Sequence, residues 1–402
     1  MTLAILFSAQ PLALAKTPVP GADLASVRTW LLTHNPDLQA MQADAEAAQA
    51  RIHPAGAMPD PRVEIRLQRM GDTGSAFYGV KQPIPLWGKR GLARDIARRQ
   101  ADAAGLEREA AALDLLARAE QAYVRFWHAG TGVEVLDRQV RLLAQMEEIA
   151  RLRYSLGVAA QQDSIRAQVA RTTLQAERIR RLAVRDEAMA ALNAALGRQA
   201  DARLAEPADE PVLALPTASL GDALGLLAMS RHPALEASTA MAGAADIAAL
   251  LQRRQRFPDL TLGVGRMRRD DQADANEIMF EVEIPLQQRA RREREREARQ
   301  MAVAARARTE ALETALQGQL GQAWAQAGSA RERRQLIEQT LLPQAQANFE
   351  SALASYRVGE VDFGTLLEAL DGWLGADLAR ADARRDELIG AAAVRALLGS
   401  VE

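Results

Sequence analysis

The chain of 402 residues is 48% apolar and 25% charged, with 50 basic and 52 acidic side chains. It can bury a core, and a formal net charge of −2 argues against a general nucleic-acid binder. No cysteine is present, which excludes disulfides, Cys-zinc sites, thiol catalysis and a lipid anchor through an N-terminal Cys.

Aromatic side chains make up only 4%, while Ala, Leu, Gln, Glu and Arg dominate. These are helix formers, with small residues for close helix contacts. No run reaches 18 apolar residues, so no helix is expected to span a bilayer. Residues 3–15 form a short apolar stretch ending Ala13-x-Ala15 before Lys16. This has the h-region and cleavage site of a secretory signal, without the basic residue that usually precedes them. Residues 1–15 are therefore expected to be a signal peptide, with Lys16 the mature N-terminus in an extracytoplasmic compartment.

From there the chain reads as one unit written twice. Asn35-Pro36-Asp37-Leu38 returns as His232-Pro233-Ala234-Leu235, and Pro59-Asp60 as Pro258-Asp259. Ile84-Pro85-Leu86 returns as Ile284-Pro285-Leu286, and the Tyr154-x-x-Gly157 segment as Tyr356-x-x-Gly359. The offsets drift smoothly, through 197, 199, 200 and 202. The repeats are assigned to 16–206 and 220–402, with a linker at 207–219 that holds Pro207, Pro211 and Pro216.

Each repeat opens with a helix, expected at 22–52 and 220–256. Strands follow, at roughly 62–69 and 77–84 in the first repeat and 259–267 and 277–284 in the second. Arg62-Val63-Glu64-Ile65-Arg66-Leu67-Gln68 alternates strictly, as does 277–284 with Ile278, Phe280, Val282 and Ile284. One face of each strand is therefore apolar and the other charged. Two readings remain open. One is an antiparallel sheet packed on helices; the other is a transmembrane barrel with charges toward a watery lumen. In the second, Arg62, Glu64, Arg66, Glu277, Glu281 and Glu283 line the lumen, residues 70–76 and 268–276 are loops outside, and Trp87 and Phe257 sit at the inner interface. Four strands cannot close a barrel, and open edges are not tolerated in lipid. Three chains would supply twelve strands and leave an opening.

Helical stretches of 91–155 and 290–355 come next. Each would be about 100 Å long at 1.5 Å per residue, so an elongated molecule is expected. Leu136, Leu143 and Ala150 form one seven-residue row, and Leu142, Ile149 and Leu156 a second. Two adjacent rows fit a wall of helices, and equally an ordinary bundle. Gly130, Gly132, Gly318, Gly321 and Gly328 are expected to mark a distortion midway along these helices. The run from Arg289 to Glu297 is expected to coat an exposed helix start with paired charges. A break at Gly157 or Gly359 precedes a final helix of roughly 35 residues in each repeat.

His34, His53, His128 and His232 are scattered without metal-ligand spacing, so surface or packing roles are expected and no metal or cofactor site is assigned. No catalytic residue is assigned either, because no Gly-x-Ser-x-Gly, Walker or His-Glu-x-x-His motif occurs.

Taken together, the duplicated helix–hairpin–helix unit, Gln82-x-Ile84-Pro85-x-x-Gly88-Lys89-Arg90 and the paired Tyr-x-x-Gly segments resemble the TolC-like outer-membrane efflux proteins over nearly the whole mature chain. The Gly-Lys-Arg segment is most similar to the branch that serves cobalt–zinc–cadmium and copper–silver efflux. The resemblance implies a mainly α fold with a small β part. Three chains would form a trimeric α-helical tunnel in the periplasm, continued by a twelve-stranded outer-membrane barrel with four strands from each chain.

The implied partners are two further copies, outer-membrane lipid, a periplasmic membrane-fusion adaptor and an inner-membrane resistance-nodulation-division pump, with no nucleic acid. Tyr154, Leu156, Gly157, Val158, Tyr356, Val358 and Gly359 are then the adaptor-contact tips. Glu368 and Asp371, with Asp362 and Asp163, are the periplasmic gate candidates. Rings of three carboxylates attract cations, whereas the plainer reading is a solvated helix face or an Arg pair. The implied function is a passive exit duct, expected to carry heavy-metal cations. Drug efflux or type I protein secretion is the alternative within that class, and a soluble coiled-coil scaffold is the alternative outside it.

Overall fold

The computed structural model describes residues 19–70, 73–215, 219–270 and 272–399. The expected signal segment and Pro216 of the linker lie outside the described residues. In chain order the elements are α1 (Leu24–His34), α2 (Pro36–Ala55), β1 (Arg62–Met70), β2 (Thr73–Ile84), α3 (Lys89–Ser155) and α4 (Gln161–Ala195). They continue with α5 (Leu220–Met229), α6 (Pro233–Arg254), β3 (Asp259–Arg269), β4 (Gln272–Glu283), α7 (Gln288–Leu336), α8 (Leu342–Val358) and α9 (Phe363–Leu397). Among the described residues the fold is mainly helical with one small sheet.

Local chemistry explains where the helices break. The single opening helices expected at 22–52 and 220–256 are each two helices. A residue before proline is pushed out of the α region, and Asn35 and His232 take ψ of 124° and 122°. Asn35 Oδ1 accepts from the backbone N–H groups of Asp37 (2.8 Å) and Leu38 (3.2 Å), and caps α2. His232 Nδ1 accepts from Ala234 N–H at 3.3 Å and caps α6. Burial pushes the His232 imidazole below its ordinary pKa, which keeps that acceptor neutral.

The expected mid-helix distortion at the glycines is absent. Gly130 and Gly132 lie within continuous α3, and Gly318, Gly321 and Gly328 within continuous α7. The irregularity falls instead at a π-turn, Ile337–Leu341, just ahead of Pro343. Proline has no N–H for the preceding turn and crowds the carbonyl four residues back, so the ladder is locally rewound.

Leu220–Arg254 is long and apolar enough, by length and composition, to cross a membrane. This corrects the sequence expectation. Its many alanines raise the average although no unbroken run of 18 apolar residues occurs, and Ser230–His232 interrupts the helix.

The sheet is antiparallel in the order β1-β2-β3-β4. Its strands extend into both segments expected as loops, since β2 begins at Thr73, β3 reaches Arg269 and β4 begins at Gln272. Backbone pairing continues past the point where hydrophobic alternation fades, because the ladder does not require apolar side chains.

Contacts divide the chain into two units. Of the described residues, one gathers 19–34, Arg118–Leu213 and Ala330–Ile389. Its core holds Leu143, Met146, Ala150, Ala167, Phe349, Tyr356, Phe363, Leu366 and Leu370. The row Leu136, Leu143, Ala150 is fully buried, while Leu142 and Ile149 are half-buried and Leu156 is exposed. The other unit gathers the described residues of Asn35–Ala117 and Ala214–Ser329, with 390–399. It contains the sheet and a helical core of Ala223, Leu227, Leu316, Leu320, Ala323, Val394 and Leu398. Burying each such leucine contributes about 1.5–3 kcal/mol.

The charged run after β4 is not uniformly exposed. Glu295 is buried, paired with Arg256 at 3.2 Å and with Arg299. Arg291 donates to the carbonyl of Gln255 at 2.7 Å. The start of α7 is thereby tied to the end of α6.

Candidate functional site

Register sorts the strand residues onto two faces. Arg62, Glu64 and Arg66 stand opposite Lys81, Gly79 and Phe77. Glu277, Glu281 and Glu283 stand opposite Gly265, Thr261 and Asp259. All six lumen candidates therefore share one face. On the other, Val63, Ile65 and Leu67 meet Val80, Tyr78 and Ala76, while Ile278, Phe280 and Val282 meet Val264, Leu262 and Leu260. This apolar face is bare: Val63 is 74% exposed and Phe280 72%. Leaving that much apolar surface in water is unfavourable, so such a face marks a contact with lipid or protein.

The charged face is internally paired. Lys81 Nζ lies 2.9 Å from Glu64 and 3.3 Å from Glu281. Arg66 lies 2.5 Å from Glu64 and stacks over Phe77 with its guanidinium carbon 5.6 Å from the ring centroid. Phe77 is the surprise of this face, only 3% exposed. A Cβ at Gly79 would lie 2.6 Å from its ring, and one at Gly265 2.3 Å. These two glycines form a bed on which the outer edge of the ring rests. The sequence presents Gly265 only as a weak point in β3; the signal was Phe77 two residues before Gly79 on one face.

At the strand ends, Trp87 adopts a left-handed φ of 62°. Its indole N–H donates to the Pro258 carbonyl at 2.8 Å, and its ring meets Phe257 with centroids 5.1 Å apart. Lys89 Nζ donates to Asp259 and to the Phe257 carbonyl, both at 2.8 Å. Arg90 donates twice to the Gly56 carbonyl, at 3.0 and 2.9 Å. The Gly88-Lys89-Arg90 segment thus fastens the exit of β2 to the start of β3 and to the end of α2.

The second cluster lies in the other unit, around the two turns. Gly157 and Gly359 take left-handed φ of 73° and 89°. Val158 N–H returns to the Arg153 carbonyl at 3.0 Å, and Glu360 N–H to the Ser355 carbonyl at 2.9 Å. Only glycine adopts this cap without penalty. Leu156 (68%) and Val358 (73%) are highly exposed, and Tyr154 and Val158 are exposed too.

Tyr356 departs from the contact role expected of it. It is 1% exposed and packs edge-on against Phe363 with centroids 5.3 Å apart. Arg153 stacks on its ring at 4.6 Å and donates to its carbonyl. Its hydroxyl donates to Asp163 at 3.2 Å. Burial, and then the Asp163 carboxylate, push the phenol up to about 12. Tyr356 therefore supports the turn from inside, through partners distant in sequence that the Tyr-x-x-Gly spacing does not reveal.

The four acidic candidates separate into two pairs. Asp163 receives the Tyr356 hydroxyl. Asp362 Oδ1 accepts from Thr365 N–H (2.9 Å) and Thr365 O–H (2.7 Å) at the head of α9. Those bonds, with Arg166 nearby, hold the Asp362 carboxyl below its usual range. Glu368 and Asp371 are exposed, three residues apart on α9. Partial burial raises the Asp371 carboxyl, although the side chain still reaches solvent.

Among the histidines, His128 Nε2 lies 2.8 Å from Asp382, and His34 stacks on Trp30 at 4.3 Å. Among the described residues no group of three or more His, Asp and Glu is positioned to hold a metal ion.

The family described as Outer membrane efflux protein matches residues 29–198 and 224–400. The cobalt-zinc-cadmium resistance protein CzcC of Cupriavidus metallidurans is 24% identical over 338 residues, 83% of this chain and 80% of that protein. The outer-membrane channel OprN superposes with a TM-score of 0.82 at 21% identity, covering 94% of this chain and 90% of its own. CusC, described for transmembrane channel formation, superposes with a TM-score of 0.81 at 15% identity, covering 94% and 92%.

Proposed function

Because the chain belongs to the outer membrane efflux protein family, we propose that it is the outer-membrane channel of a tripartite efflux system, a passive duct rather than an enzyme. The observation that carries this is the four-stranded sheet, bare and apolar on one face and charged on the other. In a bilayer the apolar face meets lipid, the charged face meets water, and the two open edges require further copies. Three copies give twelve strands and a homotrimer. The adjoining helices then form a periplasmic tunnel.

The exposed turn residues Tyr154, Leu156, Val158 and Val358, shaped by Gly157 and Gly359, contact a periplasmic adaptor. That adaptor links the duct to an inner-membrane resistance-nodulation-division pump, which supplies the energy. Glu368 and Asp371 are the gate carboxylates, and Asp163 and Asp362 brace the turns behind them. Heavy-metal cations are the cargo, a reading supported by the likeness to the cobalt-zinc-cadmium resistance protein.

The test is assembly and conductance. Extracted from outer membranes, the protein is expected to be a detergent-dependent trimer of about 130 kDa, from a chain of 43.6 kDa. It is also expected to conduct ions in planar bilayers. A monomer soluble without detergent would refute the channel.

A further inference from the structure

On the charged face, we propose that Lys81 is a built-in counter-ion that occupies the Glu64 and Glu281 carboxylates and so prevents divalent cations from being retained in passage. The inference rests on the reading of that face as the wall of a cation duct.

Three features of the sheet carry it. First, one ammonium serves two carboxylates on different strands, with Nζ 2.9 Å from Glu64 on β1 and 3.3 Å from Glu281 on β4. Second, β4 is not a neighbour of β2, so the Lys81 side chain must cross β3 to reach Glu281. It does so directly over Gly263, its partner in the ladder. A Cβ on Gly263 would lie 3.2 Å from Lys81 Cγ. Glycine at this position leaves room for the stem to pass. Third, Arg66 takes the other oxygen of Glu64, at 2.5 Å, so among the described residues Lys81 is the cation that stands between the two carboxylates.

Carboxylate oxygens are hard donors that bind divalent cations readily. Two of them within 3.3 Å of a single nitrogen would, without that nitrogen, repel each other and recruit a cation from solution. A duct that exports metal gains nothing from holding it. Lysine suits the task because its ammonium is a compact point charge with three donors on a flexible stem. Lys81 therefore sets what the duct wall does not bind.

Zinc ion is the probe, titrated calorimetrically into the assembled, detergent-purified protein. Lys81→Met is expected to bind Zn²⁺ about tenfold or more tightly than wild type. The triple variant Lys81→Met with Glu64→Gln and Glu281→Gln is expected to lose that gain. Gly263→Val keeps every charge but displaces the stem, and is expected to give a smaller gain. An assembled Lys81→Met protein with wild-type Zn²⁺ affinity overturns the proposal. So does a gain that survives in the triple variant. If Lys81→Met does not assemble, Lys81→Gln takes its place, and wild-type affinity or a gain that outlasts the loss of both carboxylates overturns the proposal in the same way. Bilayer recordings keep the two readings apart. A wild-type protein that conducts nothing refutes the duct, whereas the titration reads the Lys81 pairing directly.

Discussion

Replacing Gly79 with alanine tests whether the Phe77 ring is held by the glycine bed. The added Cβ would lie 2.6 Å from the ring atoms Cε1 and Cζ, where carbon atoms prefer about 3.5–4.0 Å. The ring must lift by about 1 Å or leave the sheet. Phe77 is 3% exposed, so expelling it forfeits about 1.5–3 kcal/mol of burial.

With Phe77→Ala already in place, the next atom to meet the new Cβ is the Val264 carbonyl oxygen, at 3.2 Å. Alanine is also better than glycine in a strand by about 0.5–1 kcal/mol. Gly79→Ala is therefore expected to cost about 2 kcal/mol in the wild-type background and close to nothing in Phe77→Ala. Reversible denaturant unfolding of the four proteins in one detergent measures the coupling. Equal costs in the two backgrounds, within about 0.5 kcal/mol, would refute the contact as the reason for the glycine.

Three further outcomes are expected. Ile65→Arg or Val282→Arg places a charge on the bare face and is expected to cost about 2–4 kcal/mol if that face meets mid-bilayer lipid. Glu277→Arg, on the opposite face, is expected to insert normally and shift ion selectivity, and equal insertion defects from both faces would contradict the assignment. His232 is held below its ordinary pKa by burial. Above about pH 6.5 both folded and unfolded forms are neutral. As pH falls through that value the unfolded chain takes the proton first, so stability declines toward the folded pKa. His232→Asn retains an acceptor like that of Asn35 and is expected to flatten this decline in thermal melts, with an unchanged pH slope counting against the cap. Finally, Tyr356→Phe removes the Asp163 bond and is expected to cost about 1 kcal/mol while leaving trimers intact. Complete loss of the trimer, scored by heat-resistant migration, would mean the hydroxyl does more than brace the turn.

Much of this fold is legible in the sequence because it depends on chain neighbours alone. Alternation in 62–68 determines that Val63 and Glu64 face opposite ways, whatever the sheet packs against. The turn at Gly359 follows from the only residue that accepts a φ of 89° without strain. The Asn35-Pro36 and His232-Pro233 breaks were equally local, since proline restricts the residue before it, but the hydrophobic pattern runs straight through them and hides the boundary.

Other features were decided only when distant segments met. Tyr154 and Tyr356 occupy the same motif, yet one is exposed and the other buried beneath Arg153, Asp163 and Phe363. Gly263 reads as a weak strand residue until Lys81 lies across it on the way to Glu281. Spacing along the chain sets which way a side chain points. What lies above it depends on strands and helices far away in the sequence, and burial, charge pairing and the fit of a ring on glycine all depend on that.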